Sequence, residues 1–448
     1  MEMNPNIFKA YDIRGIFSQD FNEESAYLIG RAFVDFLGIN NPKIVIGRDN
    51  RSSSPKIFKS LVKGIVEGGG TVLNIGITTT PLFYFSVVNL KADGGINITA
   101  SHNPSKYNGF KITRERAMPV SGDSGLHEIK KIVLSGKFKK KGKGRIVNKN
   151  TTEAYVKFNL KSFKLKKQKP LKIVIDTANA VSGILIPKFF EKTNHKIIHL
   201  YAKQDGSFPN HNPDPLIKDN LKVLIKEVKE RKANLGIAFD GDGDRIFFID
   251  EKGKVISGDL ITALMTDLIL KKKPGQKVIY DIRSSNVIKE IAKENKGKAI
   301  GGRIGHSLIK ESMRKNNVVF AGELSGHYYF KEHYFCEAPF IVLFSILEEL
   351  LKKNIVLSEL IKPYKRYYHS GEINFEVKDK KRILKDLGKK FKNKGKMLKI
   401  DGLRIDFNDW WFLVRPSNTE PVIRLVLEAK DKKTLEQKTH LLSNILHG

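Results

Sequence analysis

The chain has almost no cysteine. A single thiol, Cys336, among 448 residues excludes an internal disulfide. Long apolar runs are missing as well. None approaches the ~18 residues of a membrane span, and the longest candidate, 339–347, soon meets Glu348 and Glu349. The opening Met1-Glu2-Met3-Asn4-Pro5 lacks the basic-then-apolar pattern of a secretory signal, so a cytoplasmic protein with no membrane partner is expected. No Gly-x-Ser-x-Gly elbow surrounds any serine of interest, which argues against an acyl hydrolase.

Acidic residues are scarce. There are 48 Asp and Glu against 80 Lys and Arg, a net charge of +32. The excess is uneven: residues 130–172 hold sixteen basic side chains and one acidic one, Glu153, and a second basic stretch runs over 378–399. Such charge suits steering of dianionic substrates or binding of nucleic acid. Zinc-finger spacing, an RNA-recognition aromatic motif and a Walker A loop are all absent. Lysine heavily outweighs arginine, and isoleucine and asparagine abound, as a coding bias towards A and T would produce. A lysine-rich solvated surface is therefore the preferred reading, with nucleic acid as the rival partner.

What is present points to α/β layers. Apolar strand-like runs at 43–47, 95–99, 172–176, 235–240, 277–281 and 317–322 each end in a polar loop. Amphipathic helical runs such as 26–37 and 221–230 lie between them. That alternation places ligands at the carboxyl ends of strands. The length suggests about three domains on the ~150-residue prior.

Two of those loops carry chemistry. Thr99-Ala100-Ser101-His102-Asn103-Pro104 puts one hydroxyl on a small-residue turn after Gly95-Ile96-Asn97-Ile98. His102, Asn103 and Lys111 add donors and a possible proton carrier. Asp240-Gly241-Asp242-Gly243-Asp244-Arg245 packs three carboxylates into five residues, with glycines that let the backbone fold them onto one centre. Oxygen donors alone favour magnesium, calcium or manganese. Glu251 falls at the twelfth position from Asp240, as in a calcium EF-hand, but Arg245 stands where that loop needs glycine and the flanks read as strands. A nucleophilic oxygen beside a hard-cation chelate is what phosphoryl transfer needs. Two further loops suit phosphate and sugar. Arg415-Pro416-Ser417-Asn418-Thr419-Glu420-Pro421 offers a guanidinium fork and two hydroxyls, and Gly322-Glu323-Leu324-Ser325-Gly326-His327 offers partners for vicinal hydroxyls.

Together these loops resemble the alpha-D-phosphohexomutase family, in particular its bacterial and archaeal phosphomannomutase/phosphoglucomutase branch. The resemblance begins at Phe8-Lys9-Ala10-Tyr11-Asp12-Ile13-Arg14-Gly15. It continues through the serine loop, Phe208-Pro209-Asn210-His211-Asn212-Pro213-Asp214-Pro215, the metal loop, Gly305-His306 and the Gly-Glu-Leu-Ser-Gly-His loop to the arginine loop. It implies three similar mixed-sheet α/β domains and a C-terminal α+β domain around a central cleft, expected at 1–148, 149–252, 253–364 and 365–448. It also implies that Ser101 carries a phosphoryl group and completes a magnesium site with Asp240, Asp242 and Asp244. Arg14, Lys111 and Arg245 match basic residues around the transferring phosphate, with His102 beside the serine. Glu323 and Ser325 match the pair that reads the sugar's 3- and 4-hydroxyls, and Gly305, His306 and His327 match the lining of the sugar site. Arg283, Arg415, Ser417, Asn418 and Thr419 match groups that hold the non-reacting phosphate.

The implied reaction moves a phosphoryl group between the 1- and 6-positions of mannose or glucose phosphate through a bisphosphorylated hexose. Glucosamine phosphate is the alternative substrate, and a silent nucleic-acid-binding relative the more distant one. Monomer and dimer both remain open. Three places depart from the family pattern. Arg283 stands where many members have lysine, Asp176-Thr177-Ala178-Asn179-Ala180 lacks the usual glycines, and Glu337-Ala338-Pro339 replaces an acidic residue followed by glycine.

Overall fold

A computed structural model describes residues 3–139, 142–163, 169–377, 379–416 and 422–447. The chain forms two compact units. One comprises Met1–Ser257, Gly305–Val319 and Ser325–Leu360, the other Gly258–Ile304, Phe320–Leu324 and Ile361–Gly448.

The first unit opens with a six-stranded mixed sheet, in the spatial order Ile13–Ile16, Tyr107–Arg114, Gly94–Ile98, Lys43–Arg48, Thr71–Ile77 and Ile146–Asn148. The last four run parallel, while Tyr107–Arg114 is antiparallel to both its neighbours. Gly94–Ile98 is buried along its whole length, as an apolar strand covered on both faces should be. The helix Glu23–Leu37 starts one turn before its apolar periodicity. Asn22 accepts from the Ser25 N–H at 3.0 Å, the Ser25 hydroxyl accepts from the Asn22 N–H at 3.3 Å, and Gly38 closes the helix in a left-handed conformation. Ile29 and Phe33 of that helix, with Ile57 and Leu61 of the helix Ser54–Glu67, pack on Ile44, Ile46, Ile96 and Ile98 of the sheet. Each such side chain contributes about 1.5–3 kcal/mol on full burial.

A second sheet in the same unit has the order Val255–Ile256, Ile246–Asp250, Leu235–Phe239, Lys172–Asp176 and Lys196–Leu200. Its last three strands are parallel, and Ile246–Asp250 is antiparallel to both its neighbours. The turn after Lys172–Asp176 does without glycine by bending Ala178 and Asn179 into the left-handed region, at φ 50° and 56°. The helix Pro339–Lys353 carries Pro339 in its first turn, where a missing N–H costs nothing.

In the second unit Lys277–Asp281 lies parallel to both Lys298–Gly302 and Phe320–Gly322. An antiparallel sheet follows, ordered Tyr368–Glu376, Val422–Ala429, Trp410–Pro416, Leu403–Asp406 and Lys396–Leu398, with the helices Lys380–Lys390 and Lys432–His447. Mixed-sheet α/β organisation with an α+β end therefore matches the sequence reading. One strand is shorter than read. The run 317–322 becomes a strand only at Phe320–Gly322, because Asn317 ends the helix His306–Asn316 in the left-handed conformation that asparagine tolerates at a helix C-terminus.

Candidate active site

The strand Gly94–Ile98 delivers Ser101 from its carboxyl end. Ser101 has φ 52°, a left-handed conformation unusual for a serine, and its N–H donates to Thr99 Oγ1 at 3.0 Å. The residue is almost wholly buried. Its hydroxyl donates to Asp240 Oδ2 at 2.9 Å and lies 3.3 Å from His102 Nδ1.

Asp240 begins the turn between the antiparallel strands Leu235–Phe239 and Ile246–Asp250, which pair Phe239 with Ile246. Strands flank the acidic loop, so it is not an EF-hand. Gly243 takes φ 68°, and a Cβ at Gly241 would stand 2.3 Å from the Ser101 carbonyl oxygen. Only glycine lets the two loops approach this closely. Asp240, Asp242 and Asp244 are buried, and each offers an oxygen within 4.8 Å of the others. Asp242 Oδ1 is buried with no hydrogen-bond partner among the described residues. Oxygen donors of this number and charge suit a hard divalent cation. Burial, then the neighbouring Asp244 and Asp242, push the Asp240 carboxyl well above the usual carboxylate range. Asp244 goes the other way: burial would raise it, but Lys111 and His327 hold it well below that range. The cluster is thus shaped to gain stability from added positive charge.

The protein brings its own cations to the same place. Lys111 Nζ lies 2.7 Å from Asp242 Oδ2 and 2.6 Å from Asp244 Oδ2. Burial opposes its charge, yet these two carboxylates hold the ammonium above its ordinary value. The Arg245 main-chain N–H donates to Asp240 Oδ1 at 3.1 Å, and its Nε lies 3.3 Å from His327 Nε2. His327 Nε2 also sits 3.2 Å from Asp244 Oδ1, while His327 Nδ1 is 3.0 Å from Ser325 Oγ. Arg14 donates to Asn103 Oδ1 at 2.8 Å and to Asp12 Oδ2. His102 is held well below the usual histidine value by burial and then by Arg245 and Arg14, so it is neutral at pH 7. His306 is neutral for a similar reason: burial first, then Lys310 and Lys111. Gly305 packs closely on the Tyr11 ring, where a Cβ would come within 2.8 Å.

Among the expected residues, the first unit therefore gathers Ser101, His102, Lys111, Asp240, Asp242, Asp244, Arg245, Ser325 and His327, with Arg14 joined through Asn103. Glu323, Arg283 and Arg415 belong to the second unit. Glu323 is buried. Arg283 Nε lies 3.0 Å from both oxygens of Asp281, and Arg283 Nη1 is 3.9 Å from Glu372 Oε2. Glu372 also receives Arg415 Nη2 at 3.3 Å and Arg424 Nη1 at 3.0 Å. Ser417, Asn418 and Thr419 lie outside the described residues. Glu337 was noted in sequence only within a departure from the family pattern, and Thr80, Arg51, Lys310, Glu372 and Arg424 were not picked out. Thr80 donates to Asp242 Oδ2 at 2.5 Å. Arg51 had a signal, since it follows the strand-like run 43–47 in the polar-loop position that singled out Ser101. The others had none.

Four family models of phosphoglucomutase/phosphomannomutase match the chain in order: α/β/α domain I over residues 5–140, domain II over 153–253, domain III over 257–367 and the C-terminal domain over 372–441. The chain belongs to the phosphoglucomutase/phosphomannomutase family. A phosphomannomutase of Methanocaldococcus jannaschii is 39% identical over 444 residues, 98% of this chain and 97% of that protein. A phosphomannomutase of Escherichia coli is 36% identical over 452 residues, 98% of each. The crystal structure of a phosphoglucomutase/phosphomannomutase family protein from Burkholderia thailandensis superimposes with a TM-score of 0.91 at 32% identity, covering 99% of this chain and 98% of that one. Among the described residues no helix is long and apolar enough to cross a membrane.

Proposed function

We propose that this phosphohexose mutase moves a phosphoryl group between the 1- and 6-positions of mannose or glucose phosphate by way of phosphorylated Ser101. The observation that carries the reading is the Ser101 hydroxyl at 2.9 Å from Asp240 within a buried three-carboxylate cluster ringed by Lys111, Arg245 and His327. On this reading residues 1–148 carry the serine loop, 149–252 the metal loop, 253–364 the sugar loop and 365–448 the phosphate loop.

In the forward half-reaction the bond from phosphorus to Ser101 Oγ breaks and a bond to the sugar hydroxyl oxygen forms. The proton of that hydroxyl passes by way of neutral His102, 3.3 Å from Ser101 Oγ, to the departing serine oxygen, which leaves as the neutral hydroxyl. Lys111, Arg245 and Arg14 offset the charge of the transferring group, the main catalytic task in phosphoryl transfer. Asp240, Asp242 and Asp244, with the phosphoserine, would hold Mg2+, which when bound withdraws charge from the phosphate oxygens. The bisphosphorylated hexose turns within the site and returns its other phosphate to Ser101. Glu323 and Ser325 hold the hydroxyls common to both poses, with Gly305, His306 and His327 lining the sugar. Arg283, Arg415, Ser417, Asn418 and Thr419 grip the phosphate that is not reacting. The 2-hydroxyl is left unread, so mannose and glucose phosphates both serve.

The test is peptide mapping of the purified protein together with turnover of mannose, glucose and glucosamine phosphates. Phosphate on Ser101 and turnover of the first two are expected. An unphosphorylated Ser101 that takes no label from bisphosphorylated hexose would overturn the reading.

A further inference from the structure

Beneath the serine loop lies a guanidinium with no role in the chemistry above. Arg51 follows the strand Lys43–Arg48, and its side chain is 0% exposed. A guanidinium has five N–H donors in a fixed fork, and all five are used. Nε donates to Asp49 Oδ2 at 3.0 Å. Nη1 donates to the carbonyls of Pro104 at 2.7 Å and Tyr107 at 3.1 Å. Nη2 donates to the carbonyls of Ser101 at 2.8 Å and Asn103 at 2.7 Å. Four of the five acceptors are main-chain oxygens of one loop, 101–107, wound around a single cation. The cation is itself fixed. Asp49 Oδ1 accepts from the Arg51 N–H at 3.1 Å and the Ser54 hydroxyl at 2.6 Å, and the Phe208 ring lies 5.1 Å over the guanidinium.

We propose that Arg51 is the positioning residue of the phosphoryl carrier. It sets where Ser101 Oγ stands relative to Asp240 and holds the serine in its left-handed backbone conformation. The inference rests on the reading that Ser101 carries the phosphoryl group. The Ser101 carbonyl is pinned by Arg51 Nη2 on one side and packed against the main chain at Gly241 on the other. The hydroxyl is thereby turned to the carboxylate cluster. Without the fork, four carbonyls lose their common donor and the loop is free to shift. Lysine does not replace it, because an ammonium has three donors at one point and cannot span carbonyls on both arms of the fork.

The experiment uses the full chain with Arg51→Lys and Arg51→Met, measuring kcat, KM and transfer of labelled phosphate from bisphosphorylated hexose to Ser101. A misplacement of ~1 Å costs on the order of 100-fold in rate. Both variants are expected to lose about that much kcat and labelling rate, with lysine little better than methionine. KM stays near the wild-type value, because Arg51 touches none of the residues assigned to the sugar phosphate; a merely structural defect would lower the amplitude of Ser101 labelling and leave its rate constant unchanged. If neither variant folds, Asp49→Asn removes the charge that Arg51 Nε meets while keeping the shape, and about tenfold lower kcat is expected for one weakened charge-assisted hydrogen bond. A folded variant that labels and turns over like wild type overturns the inference alone. A wild-type Ser101 that takes no label overturns both it and the reading on which it rests.

Discussion

Lys310 and Glu337 form an ion pair at 2.7 Å with both side chains 0% exposed. Lys310 stands on the helix His306–Asn316 and Glu337 on the strand Cys336–Glu337, so the pair ties two elements of the first unit together. The ammonium also lies 3.8 Å over the buried Tyr84 ring. Lys310→Met fills similar volume but leaves a carboxylate in a dry site. Losing one partner of a buried pair costs about 3–5 kcal/mol, chiefly the desolvation of the orphaned charge. In amide hydrogen exchange of residues 306–316 that is a rise of roughly 140- to 3,700-fold, at 1.4 kcal/mol per tenfold. Adding Glu337→Gln removes the orphan, so the double variant should recover about 1–3 kcal/mol of the loss. The effect also has a pH sign. Burial raises the Glu337 carboxyl above its ordinary value, and Lys310 opposes that rise. Without Lys310 it rises further. A carboxyl raised in the folded state stabilises fully below its unfolded value of about 4.3 and loses that contribution as pH climbs through the folded value. The Lys310→Met deficit should therefore be widest at neutral pH and narrow towards pH ~4.3. A neutral-pH loss under about 1 kcal/mol, or a deficit that stays constant on acidification, would refute the reasoning.

Four further outcomes are expected. Ser101→Ala should abolish mutase turnover while leaving the melting temperature near wild type, since it deletes one hydroxyl and no core contact; wild-type rates would remove Ser101 from the mechanism. Asp242→Asn should weaken magnesium binding by titration calorimetry at least tenfold, because one of three charges is lost; unchanged affinity would place the metal elsewhere. Arg415→Ala should raise KM and release more labelled bisphosphate per turnover, since a guanidinium contact to the held phosphate disappears; equal leakage and equal KM would exclude it from the clamp. His211 gives a second pH test. Burial lowers its value, but the hydrogen bond to Asp176 at 3.1 Å overrides this and raises it. The protonated pair stabilises fully below the unfolded value of about 6.5 and is lost as pH rises through the folded value. His211→Gln should flatten the pH dependence of urea stability above about pH 6.5, and an unchanged profile would count against the pairing.

The sequence alone carried the chemistry that sits within single loops. Ser101 after its apolar run, three aspartates spaced by glycine, and strand-like flanks that exclude an EF-hand are all local facts. They follow from side-chain type and from the backbone freedom of Gly241 and Gly243. The strand-like runs found strands of the three α/β sheets and none of the C-terminal antiparallel sheet, and the run 317–322 began too early because Asn317 ends a helix in the left-handed conformation. Where acceptors and partners come together across the chain was not legible. Arg51 meets Ser101 from 50 residues away, Lys111 meets Asp242 from 131, and Lys310 meets Glu337 across a helix and a strand. Ser325 and Glu323, neighbours in sequence, fall in different compact units. Composition gives a lysine no reason to be buried and an arginine no reason to hold four carbonyls. Those assignments depend on which strands pair and which loops are thereby set side by side, and burial then makes every unmet donor or charge costly enough to fix its partner.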